Sequence, residues 1–263
     1  MARIGQNPLK WINESENVKE ITVITIVHIP ELSGFWKNSL DVLKMCFDSL
    51  IQNTEESFDF MVWDNGSCEE VKQFLKQSHE NGIIQSLYYS KYNLRKIGAL
   101  NHLLYLAPGK YISYADSDVF FKKEWLTESL KVLNIFPEAG MVSSIPTIDK
   151  MEDYFESTFE GIKKAKDIII DKGSSLIPSK YVDAHRLSIG KNEIDYFKPI
   201  NNRQDVKISR SGTSAYVCAQ DFQFTTTREV VKKILPLEIS SEDLFYDPIY
   251  SPVLESKINN LGY

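Results

Sequence analysis

Between Ile21 and about Pro146 the chain alternates two hydrophobic periods, and this alternation limits what it can fold into more than any other feature. Ile21–Val27 is an unbroken β-branched run, the signature of a strand buried on both faces. Leu40, Leu43, Phe47, Leu50 and Ile51 then recur at helical spacing. Phe58–Trp63 predicts a second strand, ending in Asp64-Asn65-Gly66. Ser67 and Glu70 form a capping-box pattern. Val71, Phe74 and Leu75 supply the apolar face of the next helix, which stops at Gly82. Ile83–Tyr89 predicts a third strand. Ile97, Leu100 and Leu104 predict a third helix, ending near Pro108-Gly109. Lys110–Ala115 predicts a fourth strand, Leu126, Leu130 and Leu133 a fourth helix, and Gly140–Ile145 a fifth strand. Strands alternating with helices imply an α/β domain with a mostly parallel twisted sheet flanked by helices.

Beyond Pro146 the pattern weakens. Tyr154 or Phe155, Phe159, Ile162 and Ile169 suggest one more helix, and Ser174–Ser211 is polar and irregular. A loop region of that length is expected to be functional or mobile, and an acceptor-side role is assigned to it. Ser214–Thr226 holds one or two strands and Arg228–Leu235 a short helix. No repeat is visible. The division expected is a polar segment over 1–20, a nucleotide-sugar-binding α/β half over 21–146, and an irregular acceptor-side half of the same domain over 147–263.

Composition enters as a set of exclusions. Lys and Arg number 30 against 36 Asp and Glu, so the net charge is −6, the wrong sign for a general nucleic-acid binder. Cys46, Cys68 and Cys218 are far apart and form no C-x-x-C pair, which argues against a zinc ribbon or disulfide scaffold and for a reducing compartment. The N-terminal stretch lacks the apolar core of a signal peptide, and no run reaches the roughly 20 apolar residues of a membrane helix. The expected location is the cytoplasm, with the inner face of the membrane left open.

Ligands of open parallel sheets bind at the carboxyl ends of the strands. Two acidic groups fall there: Asp64 after the second strand, and Asp116 and Asp118 after the fourth. Asp116-x-Asp118 is the one D-x-D in the chain. Carboxylates two residues apart at a strand end can serve Mg2+ or Mn2+, which prefer oxygen ligands shared with substrate phosphates. The alternative is that they cap the following turn. Asp64 either faces a ligand or belongs to an Asn-Gly turn. Arg95 and Lys96 open the third helix, where a phosphate is favoured, or form a solvated turn. His28 ends the first strand, as a ligand-site or a boundary histidine.

These residues together resemble a known family. The order DNGS, then Asn93, Gly98 and Asn101 in N-x4-G-x2-N, then Pro108-Gly109-Lys-Tyr-Ile and YADSDV, is similar to the nucleotide-sugar domain of family 2 glycosyltransferases, of GT-A fold. The resemblance covers Ile21 to about Pro146. It implies that Asp64 hydrogen-bonds the nucleobase, that Val27–His28 lines it, and that Arg95 approaches the diphosphate. It further implies that Asp116 and Asp118 contact ribose and sugar and hold the divalent metal, chiefly through Asp118. Ser241-Glu242-Asp243 is similar to the family's acceptor-side pattern, which would make Asp243 the catalytic base. The alternative for Glu242 and Asp243 is a helix N-terminus.

The implied activity is metal-dependent transfer from a nucleotide-diphosphate sugar, a UDP-sugar first, to a hydroxyl of a carbohydrate or lipid-linked acceptor in polysaccharide biosynthesis. Inversion follows from the resemblance alone. The rival readings are a sugar-nucleotide pyrophosphorylase and a non-catalytic nucleotide-sugar-binding module or degenerate transferase subunit. The first strand ends with one glycine, at Gly34, where a pyrophosphorylase needs a glycine-rich phosphate loop.

Overall fold

Strand β1 (Ile21–Val27) is buried along its whole length and forms the centre of the molecule, as its β-branched run requires. In the computed structural model, which describes residue 5 and residues 18–146, 148, 156–200 and 202–237, β1 pairs in parallel with β2 (Phe58–Asn65) and β4 (Tyr111–Asp116). β3 (Ser86–Ser90) adds in parallel outside β2. β9 (Gln223–Thr227) pairs antiparallel with β4, and β5 (Met141–Val142) antiparallel with β9. The six-stranded order is β3-β2-β1-β4-β9-β5, mostly parallel as the alternation predicts.

Side chains of a strand alternate between faces, and here each face has its own helical cover. Val23, Val27, Phe60 and Val62 pack against α1 (Ser39–Asn53), α2 (Glu69–Glu80) and α4 (Trp125–Ile135). Ile24, Ile26, Met61, Trp63 and Tyr114 pack against α3 (Arg95–Leu106) and α8 (Arg228–Ile234). Asp64 continues the first series and Asn65 the second, so adjacent residues at the end of β2 serve opposite faces of the sheet.

Several expectations need correction. The capping box at Ser67 does not form: α2 has Cys68 as its N-cap with no side-chain cap bond. Ser67 Oγ is taken by the neighbouring chain end, accepting from Ile29 N at 3.1 Å. The third strand begins at Ser86 and not Ile83, because His79 and Ser78 hold Ile83 and Ile84 in the turn after α2. The fifth strand is only two residues long. The helix expected to run to Ile169 is α5 (Glu156–Lys164), and Ile169 instead opens β6 (Ile169–Gly173).

Ser174–Ser211 is not an irregular loop. It folds into α6 (Ser179–Ser188), α7 (Glu193–Ile200) and β7 (Asp205–Arg210), and β7 joins β6 and β8 (Thr213–Tyr216) in a separate antiparallel sheet. Ile148, Ile177, Val182, Tyr196 and Ile200 form a small core beneath it. Asp205, fully buried, holds this unit together by accepting from Arg203 Nε at 2.8 Å and Ile177 N at 2.9 Å. Among the described residues no helix is long and apolar enough to cross a membrane.

Candidate functional site

The register of the sheet sets the positions of the acidic residues. Val27 stands opposite Asp64 on one side of β1, and Ile26 opposite Asp116 on the other. Two inter-strand spacings therefore separate Asp64 from Asp116, roughly 10 Å. Both lie at carboxyl ends of parallel strands, where an open sheet leaves a crevice.

Asp64 is fully buried. Its Oδ1 accepts from Ser67 N at 3.0 Å, which closes the Asp64–Ser67 turn. Its Oδ2 is buried and has no hydrogen-bond partner among the described residues. Leaving a buried acceptor unsatisfied costs about 1–3 kcal/mol. Oδ1 thus serves the turn, while Oδ2 is left without a partner among the described residues.

The ends of β1 and β2 are fastened to each other. Cys68 N donates to Ile29 O at 2.8 Å, and His28 Nδ1 lies 3.0 Å from Asn65 O. The imidazole also meets Trp36 edge to face, at 6.1 Å between ring centres. His28 is therefore a half-buried residue at the end of β1, held against Asn65 and Trp36. Gly66, at φ +84°, packs so closely on the next loop that a Cβ there would lie 3.3 Å from Asn93 N. A side chain at this turn is disfavoured twice, by conformation and by space.

At the end of β4, Asp116 is engaged by the protein. Tyr114 donates its hydroxyl to Asp116 Oδ1, and Lys96 Nζ lies 3.0 Å from the same carboxylate. Lys96 also reaches Asp221 Oδ2 at 3.3 Å. Burial pushes the Asp116 carboxyl above its usual range, against the opposing pull of Lys96. Burial likewise works against the Lys96 ammonium, but Asp116 and then Asp221 outweigh it and hold it above its ordinary value. Beneath the loop, burial and then the charge of Asp118 push the Cys46 thiol up to about 12.

Asp118 differs from its neighbour. It is exposed, just past the strand, and makes no hydrogen bond or ion pair among the described residues. Among those residues no three His, Cys, Asp or Glu side chains come together as a metal-holding group. A hard cation of the Mg2+ kind, which takes one or two carboxylates and completes its shell with substrate phosphates and water, nevertheless fits an exposed, unpaired carboxylate such as Asp118. Asp116 is already partly neutralised by Lys96.

Arg95 begins α3 with a left-handed backbone, φ 59°, and its N–H donates to Asn93 Oδ1 at 2.7 Å. Of the two cations read at this helix start, Lys96 is the one that reaches the carboxylates. Asp221, 125 residues further on, completes the cluster without any motif to announce it. Glu242 and Asp243 lie outside the described residues. A cavity of about 590 Å³ lies elsewhere, between α4, the segment 138–146 and the smaller sheet, walled by Trp125, Phe136, Met141, Ile162 and Val217.

Comparison with known proteins follows the same lines. The sequence profile described as "Glycosyl transferase family 2" matches residues 36–200, more than half of the chain. An uncharacterized glycosyltransferase of Rickettsia bellii is 30% identical over 114 residues, 43% of this chain and 16% of that protein. One of Rickettsia felis is 26% identical over 114 residues, 19% of its length. The chain thus spans less than a fifth of the curated relatives it matches. Among solved structures, GalNAc-T7 with UDP, GalNAc and Mn2+ is similar at 15% identity and TM-score 0.48, over 85% of this chain and 37% of its own. A mannosyltransferase from Pyrobaculum calidifontis in complex with GDP-Man and Mn2+ is similar at 16% identity and TM-score 0.40, over 55% and 42%.

Proposed function

From a chain that belongs to glycosyl transferase family 2, we propose a transferase that moves a sugar from a nucleoside-diphosphate sugar, a UDP-sugar first, to an acceptor hydroxyl with inversion. The observation that carries the donor reading is Asp64 Oδ2, buried at the end of β2 without a partner among the described residues. A nucleobase imide or amine N–H supplies the missing donor. The count of free oxygens bears on which base. Guanine offers two adjacent donors and is best met by both oxygens of a carboxylate, but Ser67 N already uses one acceptor site of Oδ1. Uracil offers one imide N–H, which matches the one free oxygen.

The remaining roles follow along the strand ends. His28 and Trp36 form the side of the base pocket. The diphosphate runs toward β4, where Lys96 and Arg95 at the start of α3 bind and orient it. Positive charge fixed there stabilises the leaving nucleoside diphosphate without reorganising during reaction. Asp116 contacts the ribose or sugar. Asp118, with Asp116 beside it, would hold Mn2+ or Mg2+, and such an ion when bound neutralises charge on the diphosphate oxygens. Asp243 takes the proton of the attacking acceptor hydroxyl, a general-base contribution of typically 10²–10⁴-fold. The acceptor is a carbohydrate or a lipid-linked sugar, reached from the cytoplasm.

Calorimetric titration with UDP and GDP in the presence of Mn2+, followed by a donor-hydrolysis assay with the corresponding sugars, tests this reading. UDP is expected to bind at least about tenfold more tightly than GDP. Equal or tighter binding of GDP contradicts the one-oxygen argument. Tight UDP binding with no turnover of any UDP-sugar supports a nucleotide-sugar-binding module instead.

A further inference from the structure

Asn65 is 2% exposed, and its side chain is committed to the loop that leads into α3. Its Nδ2 donates to Asn93 Oδ1 at 2.8 Å and to Arg95 O at 3.3 Å, and its Oδ1 accepts from Leu94 N at 2.8 Å. Three consecutive residues are thereby tied to a neighbouring strand. The loop needs such support. Leu94, the N-cap of α3, has an apolar side chain and offers no cap bond, and Arg95 sits in a left-handed conformation that disfavours any residue with a Cβ. Asn65 and Asn93 together satisfy the first free N–H groups of the helix from outside it.

The residue after this braced loop is Lys96, whose ammonium stands between Asp116 and Asp221. Strand alternation makes the connection possible. Asp64 points to the α1 and α2 side with Ser67, whereas Asn65 points to the α3 side, so neighbouring residues of one strand end serve opposite faces of the sheet.

We infer that Asn65 is a positioning residue for Lys96: it fixes the 93–95 loop so that the ammonium is preset for the donor diphosphate, and has no part in reading the base. This rests on the donor reading proposed above. A brace that acts through Lys96 has a signature that a merely structural residue lacks. Losing it weakens binding of the diphosphate and spares the nucleoside, and the loss disappears once Lys96 is gone.

Isothermal titration with uridine and with UDP, on the wild-type protein, Asn65→Ala, Lys96→Met and the double variant, tests the inference. Uridine affinity is expected to stay within about twofold in all four. The preference for UDP over uridine is expected to fall about tenfold in Asn65→Ala and in Lys96→Met, and no further in the double variant. Asn93→Ala removes the other half of the brace from an exposed position, and gives the same pattern should Asn65→Ala fail to fold. An unchanged UDP-to-uridine ratio in the brace variants, or losses that add in the double variant, overturns the role of Asn65 and leaves the donor reading standing. A wild-type protein that binds neither uridine nor UDP overturns the donor reading and this inference with it.

Discussion

Lys96 Nζ lies 3.0 Å from Asp116 Oδ1 and bridges to Asp221, so one ammonium from the start of α3 serves two carboxylates at the ends of β4 and the β9 approach. The cluster carries one positive and two negative charges before any ligand arrives. Lys96 is thus a structural counter-ion, and in the proposed function it is also the cation that meets the diphosphate.

Lys96→Met tests this double role. The substitution keeps the length of the side chain and leaves Asp116 and Asp221 facing each other without a counter-charge. The melting temperature is expected to fall. Affinity for UDP is expected to drop by about tenfold or more, since hydrogen bonds to charged groups contribute about 1.5–3 kcal/mol. Unchanged UDP affinity with a lowered melting temperature assigns Lys96 to the fold alone.

Asp118→Asn is expected to behave in the opposite way. The side chain is exposed and makes no bond among the described residues, so stability is expected to move by no more than about 0.5 kcal/mol. Metal-dependent donor turnover is expected to be lost. Full turnover across a Mn2+ titration contradicts a metal role for Asp118.

How much of this was legible in the chain depends on the range of the interactions. The α/β alternation is written in local periodicities, and Asp64, Asp116 and Asp118 are recognisable because they fall at or just past strand ends. The engagement of Asp116 by Lys96 links residues 20 apart, and the Asp221 contact spans 125, with no motif at either end. Ser67 has the local chemistry of a helix cap and was diverted to Ile29, a neighbour created only by the pairing of β1 with β2. Ser174–Ser211 misleads because its elements are short and mostly exposed: in α6 only Val182 is buried. Its core is collected from Ile177, Val182, Tyr196 and Ile200, too sparse to register as a period.

Asp205→Ala checks that this stretch is a folded unit. The variant leaves Ile177 N without its acceptor in a buried place and removes the partner of Arg203. A loss of about 1–3 kcal/mol is expected by urea denaturation. A change below about 0.5 kcal/mol contradicts a cooperative core there.

Asp64 carries the central claim, and Asp64→Asn tests it most directly. The amide oxygen still accepts from Ser67 N, while the amide nitrogen now stands where Oδ2 stood and presents a donor to a donor. Melting temperature and UDP affinity are measured on the same preparation. The account predicts that the fold is retained, because the Ser67 N bond that closes the turn is kept and one unpartnered polar atom replaces another, together with UDP affinity at least about tenfold weaker. Unaltered UDP affinity would contradict the account and leave Asp64 a residue of the turn.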